Sequence, residues 1–284
     1  MAMTAKTFEY FCQLVLTRSA IVLEAGKEYL VESRLLPLAK LHGFSTLDEF
    51  AAAMSGTMFN TMHRQTVEAM TTNETSFFRD IHPFEALKKA IIPEILARKS
   101  ATKQLNIWCA AASSGQEPYT VAMLLRENFP ELRSWKITFI ATDLSSAILA
   151  KARSGRYTQL EVNRGLPAPL LVKYFTKDGT EWQIKDEIRN MVEFRELNLI
   201  EKWPAMPVFD IVMIRNVLIY FDVATKKNIL RNVRQVMSPQ GYLMLGSAET
   251  TMALDDAFER VQIDKGIAYR QTRATGAVRS YAAA

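Results

Sequence analysis

Polar and charged residues sit at four places where apolar runs stop, and their types suit a nucleoside better than a phosphate. "QLNIWCAAASSGQEPYT" ends in small residues from Ala110 to Gly115, which let a ligand approach the main chain, and then sets Glu117 near the start of a helical pattern. A phosphate loop places glycines and bare N–H groups at such a point. Here G-x-G-x-x-G is absent, no lysine follows, and the position is acidic. A carboxylate there suits a cationic ligand, or only complements the positive end of the helix. "FIATDLSS" leaves Asp143 just past an apolar run. An acidic group at that point of an α/β unit accepts hydrogen bonds from ribose hydroxyls. Capping the next helix is the competing use, which Ser145 and Ser146 can share. "MIRNVLIYFD" halts a buried run at Arg215 and Asn216, a costly pair at the end of a central strand unless partnered. "RELNL" ends on Asn198 in the same way. A fifth stretch, "TTNETSFFRD", sets Asn73, Thr75 and Arg79 around two phenylalanines. It reads either as a capped helix start with Phe77 and Phe78 in the core, or as a cover carrying polar groups over a binding site.

The surrounding pattern says what positions these residues. Residues 7–70 repeat apolar side chains at helical spacing in "FEYFCQLVLTRSAIVL", "KEYLVESRLLPLAKL" and "MFNTMHRQTVEAM", and Thr46 with Glu49 forms a capping-box pattern before "FAAAM". "PFEALKKAIIPEILARK" predicts one or two further helices. From there apolar strands alternate with amphipathic helices, which implies a parallel sheet covered on both faces. Such sheets bind ligands at the C-terminal ends of their strands, where the acidic and amide residues fall. "YFTKDGTEWQIKDEIRN" breaks the alternation with two short strands around Asp178-Gly179, a hairpin signal, and predicts a small antiparallel insert.

Composition narrows the class. The 284 residues are 49% hydrophobic and 23% charged, ordinary for a globular protein. No apolar run is long enough for a membrane helix, and no signal peptide is evident. Cys12 and Cys109 are the only cysteines. They form neither a disulfide framework nor a zinc motif, so a reducing compartment, the cytoplasm, and no metal are expected. The net charge of +5 is uneven: residues 1–72 hold six Lys/Arg against seven Asp/Glu, and the closing "KGIAYRQTRATGAVRSYAAA" has no acid at all. That end reads as a loose basic tail.

Together "TTNETSFFRD", "AAASSGQEPYT", "ATDLS", "ARSGRY", "FRELNL", "IRNVLIYFD" and "GYLMLGSAE" resemble, in order and at compatible separations, the chemotaxis protein methyltransferases of the CheR family. The resemblance runs from the N-terminal helices to about residue 270. It implies an α/β, Rossmann-like S-adenosylmethionine-dependent methyltransferase fold with a small antiparallel β-subdomain, preceded by an all-helical N-terminal domain. The expected divisions are a receptor-facing helical domain over residues 1–72, a linker over 73–90 that contributes to the cofactor site, and a methyltransferase domain over 91–284 with its insert at about 174–196. The implied cofactor is S-adenosylmethionine, leaving as S-adenosylhomocysteine, and the implied substrates are glutamates of chemoreceptor cytoplasmic helices. Neither nucleic acid nor membrane insertion is expected, and the chain is expected to be a monomer.

By the same resemblance Asn73, Thr75 and Arg79 line the cofactor site from the linker, and Glu117, Asp143, Asn198, Leu199, Arg215 and Asn216 line it from the sheet. Arg79 and Tyr220 fall beside the transferring methyl. Family members that dock on a receptor's C-terminal pentapeptide have a longer, glycine-richer loop in the subdomain than "FTKDGTEWQI", so independence of that tether is expected. Arg18, Lys27, Arg34, Lys40 and Arg64 read either as a receptor-facing basic face or as ordinary surface charges, the helical domain's slight acidity favouring the second. Two other readings are a methylase of nucleic acid or small molecules and a non-catalytic adenosylmethionine-binding scaffold. Amine methylases of this fold carry Asn/Asp-Pro-Pro-aromatic after strand four, which "RNVLIYF" is not, and a scaffold is expected to lack Arg79 or Tyr220.

Overall fold

The computed structural model describes residues 3–272. The N-terminal part is four helices: α1 (Ala5–Ser19), α2 (Glu28–Leu41), α3 (Leu47–Met54) and α4 (Thr61–Met70). The capping box of Thr46 and Glu49 is formed at α3, and Asn60 with His63 makes a second one at α4. Phe11, Val15, Val31, Leu35, Phe50, Met54 and Met70 converge into a core separate from that of the sheet.

The segment "PFEALKKAIIPEILARK" is a continuous run of α5 (His82–Ala86), a π turn at Leu87–Ile91 and α6 (Ile92–Arg98). The wide turn falls just ahead of Pro93, which has no N–H to return to a carbonyl one turn back.

The sheet is laid down by β1 (Gln104–Ala110), α7 (Gln116–Asn128), β2 (Lys136–Asp143), α8 (Ser146–Ser154), β3 (Arg156–Thr158), α9 (Gln159–Asn163), α10 (Ala168–Tyr174), β4 (Phe175–Asp178), β5 (Glu181–Ile184), α11 (Asp186–Arg189), β6 (Glu193–Glu196), β7 (Phe209–Ile214), α12 (Val223–Val236), β8 (Met237–Leu245), β9 (Phe258–Ile263) and β10 (Gly266–Gln271). Seven strands lie in the order β6-β2-β1-β7-β8-β10-β9. The first five are parallel and the last two antiparallel. The chain builds outward from β1 on one side, then returns to build on the other. This leaves the switch point, where such sheets bind ligands, between β1 and β7. Alternation along β1 divides the core: Leu105, Ile107 and Cys109 pack under α6 and α7, while Trp108 and Ala110 join Val212, Ile214 and the α12 residues Ile229 and Leu230 on the other face.

Two sequence expectations change, and one of two open readings is settled. The insert has a third strand, β3, giving the order β3-β5-β4, whereas β6, inside the expected 174–196 span, is the edge strand of the large sheet. The closing stretch is not loose throughout: Gly266–Gln271 is β10, paired between β8 and β9, and residues 273–284 lie outside the described residues. The "TTNETSFFRD" stretch starts no helix. Phe77 is fully buried between Tyr157 and Phe175 of the small sheet, with ring centroids at 5.1 and 5.7 Å, and the helix begins only at His82. No helix among the described residues is long and apolar enough to cross a membrane.

Candidate active site

A cavity of about 890 Å³, counting its open mouth, lies across the C-terminal ends of β1, β2, β6 and β7. The β1 exit floors it with Ala111, Ala112 and Ser113. Ala111 and Ser113 hold φ of 53° and 51°, and Gly115 follows at 93°. Left-handed non-glycine residues cost energy and gather where a main chain is shaped around a ligand.

Asp143, 7% exposed, receives the main-chain N–H of Ser113 at 2.8 Å and of Ser145 at 3.0 Å, one on each oxygen. A carboxylate has about four acceptor sites, so both oxygens keep capacity for further donors. Burial pushes its carboxyl pKa up, against the pull of the Ser145, Ser113 and Leu144 N–H groups. The competing reading as a helix cap does not hold: Ser145 is the cap of α8, its Oγ accepting from Ile148 N.

Arg215 is almost fully buried and paired. Its guanidinium donates to Glu117 Oε2 at 2.6 Å, to Asp80 Oδ2 at 3.1 Å and to the Arg79 carbonyl at 3.0 Å, while its buried Nε has no partner. Glu117 therefore has a partner inside the protein, and the bond to the Arg79 carbonyl fastens the linker to the end of β7. Phe78 and Asp80 flank that carbonyl at φ of 49° and 56°, and Phe78 N–H donates to Thr120 Oγ1 at 3.1 Å. Arg79 itself keeps one bond, Nη1 to the Glu74 carbonyl at 3.0 Å.

The other residues expected at the site line the same cavity. Asn73, Thr75 and Arg79 enter from the linker, Asn198 and Leu199 from the β6 exit, and Asn216 and Tyr220 from the β7 exit. Ser113 Oγ donates to the Asn73 carbonyl at 2.9 Å. Asn198 also ties the two domains, its Nδ2 donating to the Arg18 carbonyl at 2.8 Å. Leu144, Leu197 and Leu199 give the cavity an apolar wall. Ser19 and Ile21, from the end of α1 and just beyond it, line it too, and nothing in the helical periodicity of that segment marked them. No histidine lines the cavity, and no cluster of His, Cys, Asp and Glu suited to a metal occurs among the described residues.

Of the basic face, Arg34 is engaged internally: it donates to the Met70 and Thr71 carbonyls at 2.8 and 2.9 Å and to Thr72 Oγ1 at 3.2 Å, closing the end of α4. Arg18 lies over the Phe59 ring at 4.3 Å. Glu68 of α4 accepts from Ser145 Oγ, Ser146 Oγ and Ser146 N at 3.0 to 3.3 Å, holding the helical domain to the start of α8.

A buried carboxylate with acceptor capacity, an apolar wall and an unpartnered guanidinium nitrogen fit a nucleoside that carries hydroxyls, a flat base and an amino-acid end. Comparison with known proteins agrees. Residues 73–267 match the family described as CheR methyltransferase, SAM binding domain, and residues 6–71 match the CheR methyltransferase all-alpha domain. The chain is 40% identical over 268 residues to the chemotaxis protein methyltransferase Cher2 of Pseudomonas putida, covering 93% of this chain and 97% of that one. It is 40% identical over the same shares to chemotaxis protein methyltransferase 1 of Pseudomonas aeruginosa. Its identity to chemotaxis protein methyltransferase 1 of Vibrio cholerae is 38% over 276 residues, 95% of this chain and 98% of that one. The chain belongs to the CheR methyltransferase family, an S-adenosylmethionine-dependent methyltransferase of chemotaxis.

Proposed function

We propose that this enzyme methylates glutamate side chains on the cytoplasmic helices of chemoreceptors, giving methyl esters. The observation that carries the reading is a cofactor-sized cavity whose lining has no histidine, lysine or cysteine and whose carboxylates are already engaged, Asp143 by two main-chain N–H groups, Glu117 by Arg215 and Glu74 by Arg164. A glutamate carboxylate has a pKa of about 4.3 and is already ionised at neutral pH, so a carboxyl acceptor needs no proton removed. What remains is to aim its oxygen and exclude water. When bound, S-adenosylmethionine supplies an electrophilic methyl on a cationic sulfur. At about 4 Å and an effective dielectric of about 20, opposite charges attract by roughly 4 kcal/mol.

Within this reading Asp143 takes the ribose hydroxyls, and Leu199 with its apolar neighbours takes the base. Asn73, Thr75, Glu117, Asn198, Arg215 and Asn216 shape the remainder of the cofactor site. Arg79 and Tyr220 orient the acceptor carboxylate. Arginine has the better geometry for two oxygens, and its single main-chain bond leaves donors for them. The enzyme acts as a monomer, with the helical domain toward the receptor.

The β4–β5 hairpin turns through Gly179 and Thr180 alone, with Asp178 opposite Glu181. We read that short loop as lacking the docking extension for a receptor-tail pentapeptide. Incubating the enzyme with labelled adenosylmethionine and receptor cytoplasmic domains is expected to give protein-bound label released as methanol by mild alkali. Alkali-stable label overturns the carboxyl assignment, and tight binding of a tail peptide in titration overturns the independence of a tether.

A further inference from the structure

We infer that Glu249, which does not line the cavity, is a positioning residue that sets the cavity wall at the β7 exit. Its carboxylate collects four main-chain N–H groups from two neighbouring strand ends. Oε2 receives Asn216 N at 2.8 Å and Gly246 N at 2.7 Å, while Oε1 receives Val217 N at 2.9 Å and Ile219 N at 3.3 Å. Two of these donors, Asn216 and Val217, belong to residues that line the cavity, and the third on the β7 side, Ile219, lies inside the turn Leu218–Tyr220 that carries Tyr220.

Asn216 is held at φ 58°, a left-handed conformation that asparagine tolerates better than other non-glycine residues and that its surroundings here fix. The carboxylate is the group that does so, since it grips the N–H groups of Asn216 and Val217 together. Gly246 makes the approach possible: a Cβ there would lie 2.7 Å from Glu249 Oε2 and from Asn216 Nδ2, and 2.8 Å from Asn216 N. Glutamine is a poor replacement because its amide end presents N–H groups to donors that need an acceptor.

The inference rests on the cavity being the cofactor site and not on the identity of the methyl acceptor. The test is calorimetric titration of S-adenosylhomocysteine into the full chain and its Glu249→Gln and Glu249→Asp variants, each checked for native circular dichroism at the titration temperature. Glu249→Gln is expected to bind at least about ten-fold more weakly. Glu249→Asp, which keeps the charge one methylene further back, is expected to recover part of the loss. A folded Glu249→Gln binding within two-fold of the wild type overturns the inference. If that variant does not fold, the same two-fold criterion applied to a folded Glu249→Ala decides. Failure of the glutamate reading looks different: the wild type binds S-adenosylhomocysteine yet esterifies no receptor.

Discussion

Arg215 at the end of β7 and Glu117 at the start of α7 meet at 2.6 Å with side chains 1% and 13% exposed, and the same guanidinium holds the Arg79 carbonyl. One ion pair thus joins the sheet's centre to the linker. Removing one member of a buried pair leaves an uncompensated charge and costs about 3–5 kcal/mol. Arg215→Ala is expected to lower the unfolding free energy by that order in urea denaturation and to abolish S-adenosylhomocysteine binding under native conditions.

Arg79 is only half-buried and makes one side-chain bond, so its loss costs little stability. Hydrogen bonds to charged groups are worth about 1.5–3 kcal/mol, which corresponds to about a 10- to 150-fold change in rate. Arg79→Ala is expected to lose methyl transfer by at least that factor while its melting temperature stays within about 2 °C. Full activity removes Arg79 from the mechanism.

With Asp143 on the ribose hydroxyls, as proposed, cofactor affinity is expected to depend on pH. Burial raises its pKa, so on acidification it takes up a proton at a higher pH than an ordinary aspartate. The ionised form is the better acceptor for hydroxyls, so affinity for S-adenosylhomocysteine is expected to be full above the raised pKa and to fall as pH drops through it. The same group weakens the free fold as pH rises from the unfolded to the folded pKa, because the native state then holds more protons. Asp143→Asn is expected to flatten the binding profile, measured by calorimetry across mildly acidic buffers.

Gly165 packs against the linker where no side chain fits. Its φ is +86°, and a Cβ would come within 2.1 Å of the Phe77 carbonyl oxygen. Gly165→Ala is expected to destabilise by about 1–3 kcal/mol through strain and overpacking, read from the urea midpoint. Because Phe77 belongs to the same linker as Asn73 and Thr75, the Kd for S-adenosylhomocysteine is expected to rise in the folded variant.

Much of the architecture was legible because parallel strands buried on both faces leave apolar runs such as "IVMI", which stops at Arg215 and Asn216 on the ligand edge. Asp143, Arg215 and Asn216 stand out for that reason alone, and Asn73, Thr75 and Arg79 for their clustering around two phenylalanines, whereas Leu199 and Tyr220 entered only through the family resemblance. The structure sets all of them around one cavity. The strand β3 is three residues long, too short for any period to register. In β9, "FERVQI" alternates weakly between buried and exposed positions, and no glycine sits at the centre of its turn before Gly266. Ser19 and Ile21 were invisible because periodicity reports which face of a helix is buried, not what its end touches. Glu249 bonds to main-chain groups about thirty residues away, and such groups carry no side-chain signature.

The reach of α1 into the cavity bears on how this enzyme can be dissected. A fragment beginning at residue 73, where the family division falls, would lack Ser19 and Ile21 and the α1 carbonyl that Asn198 grips. Its pocket would stand open to water along one side, so a truncated protein that folds would still be a leaky, inefficient transferase, and the helical half belongs to the catalytic unit rather than standing beside it.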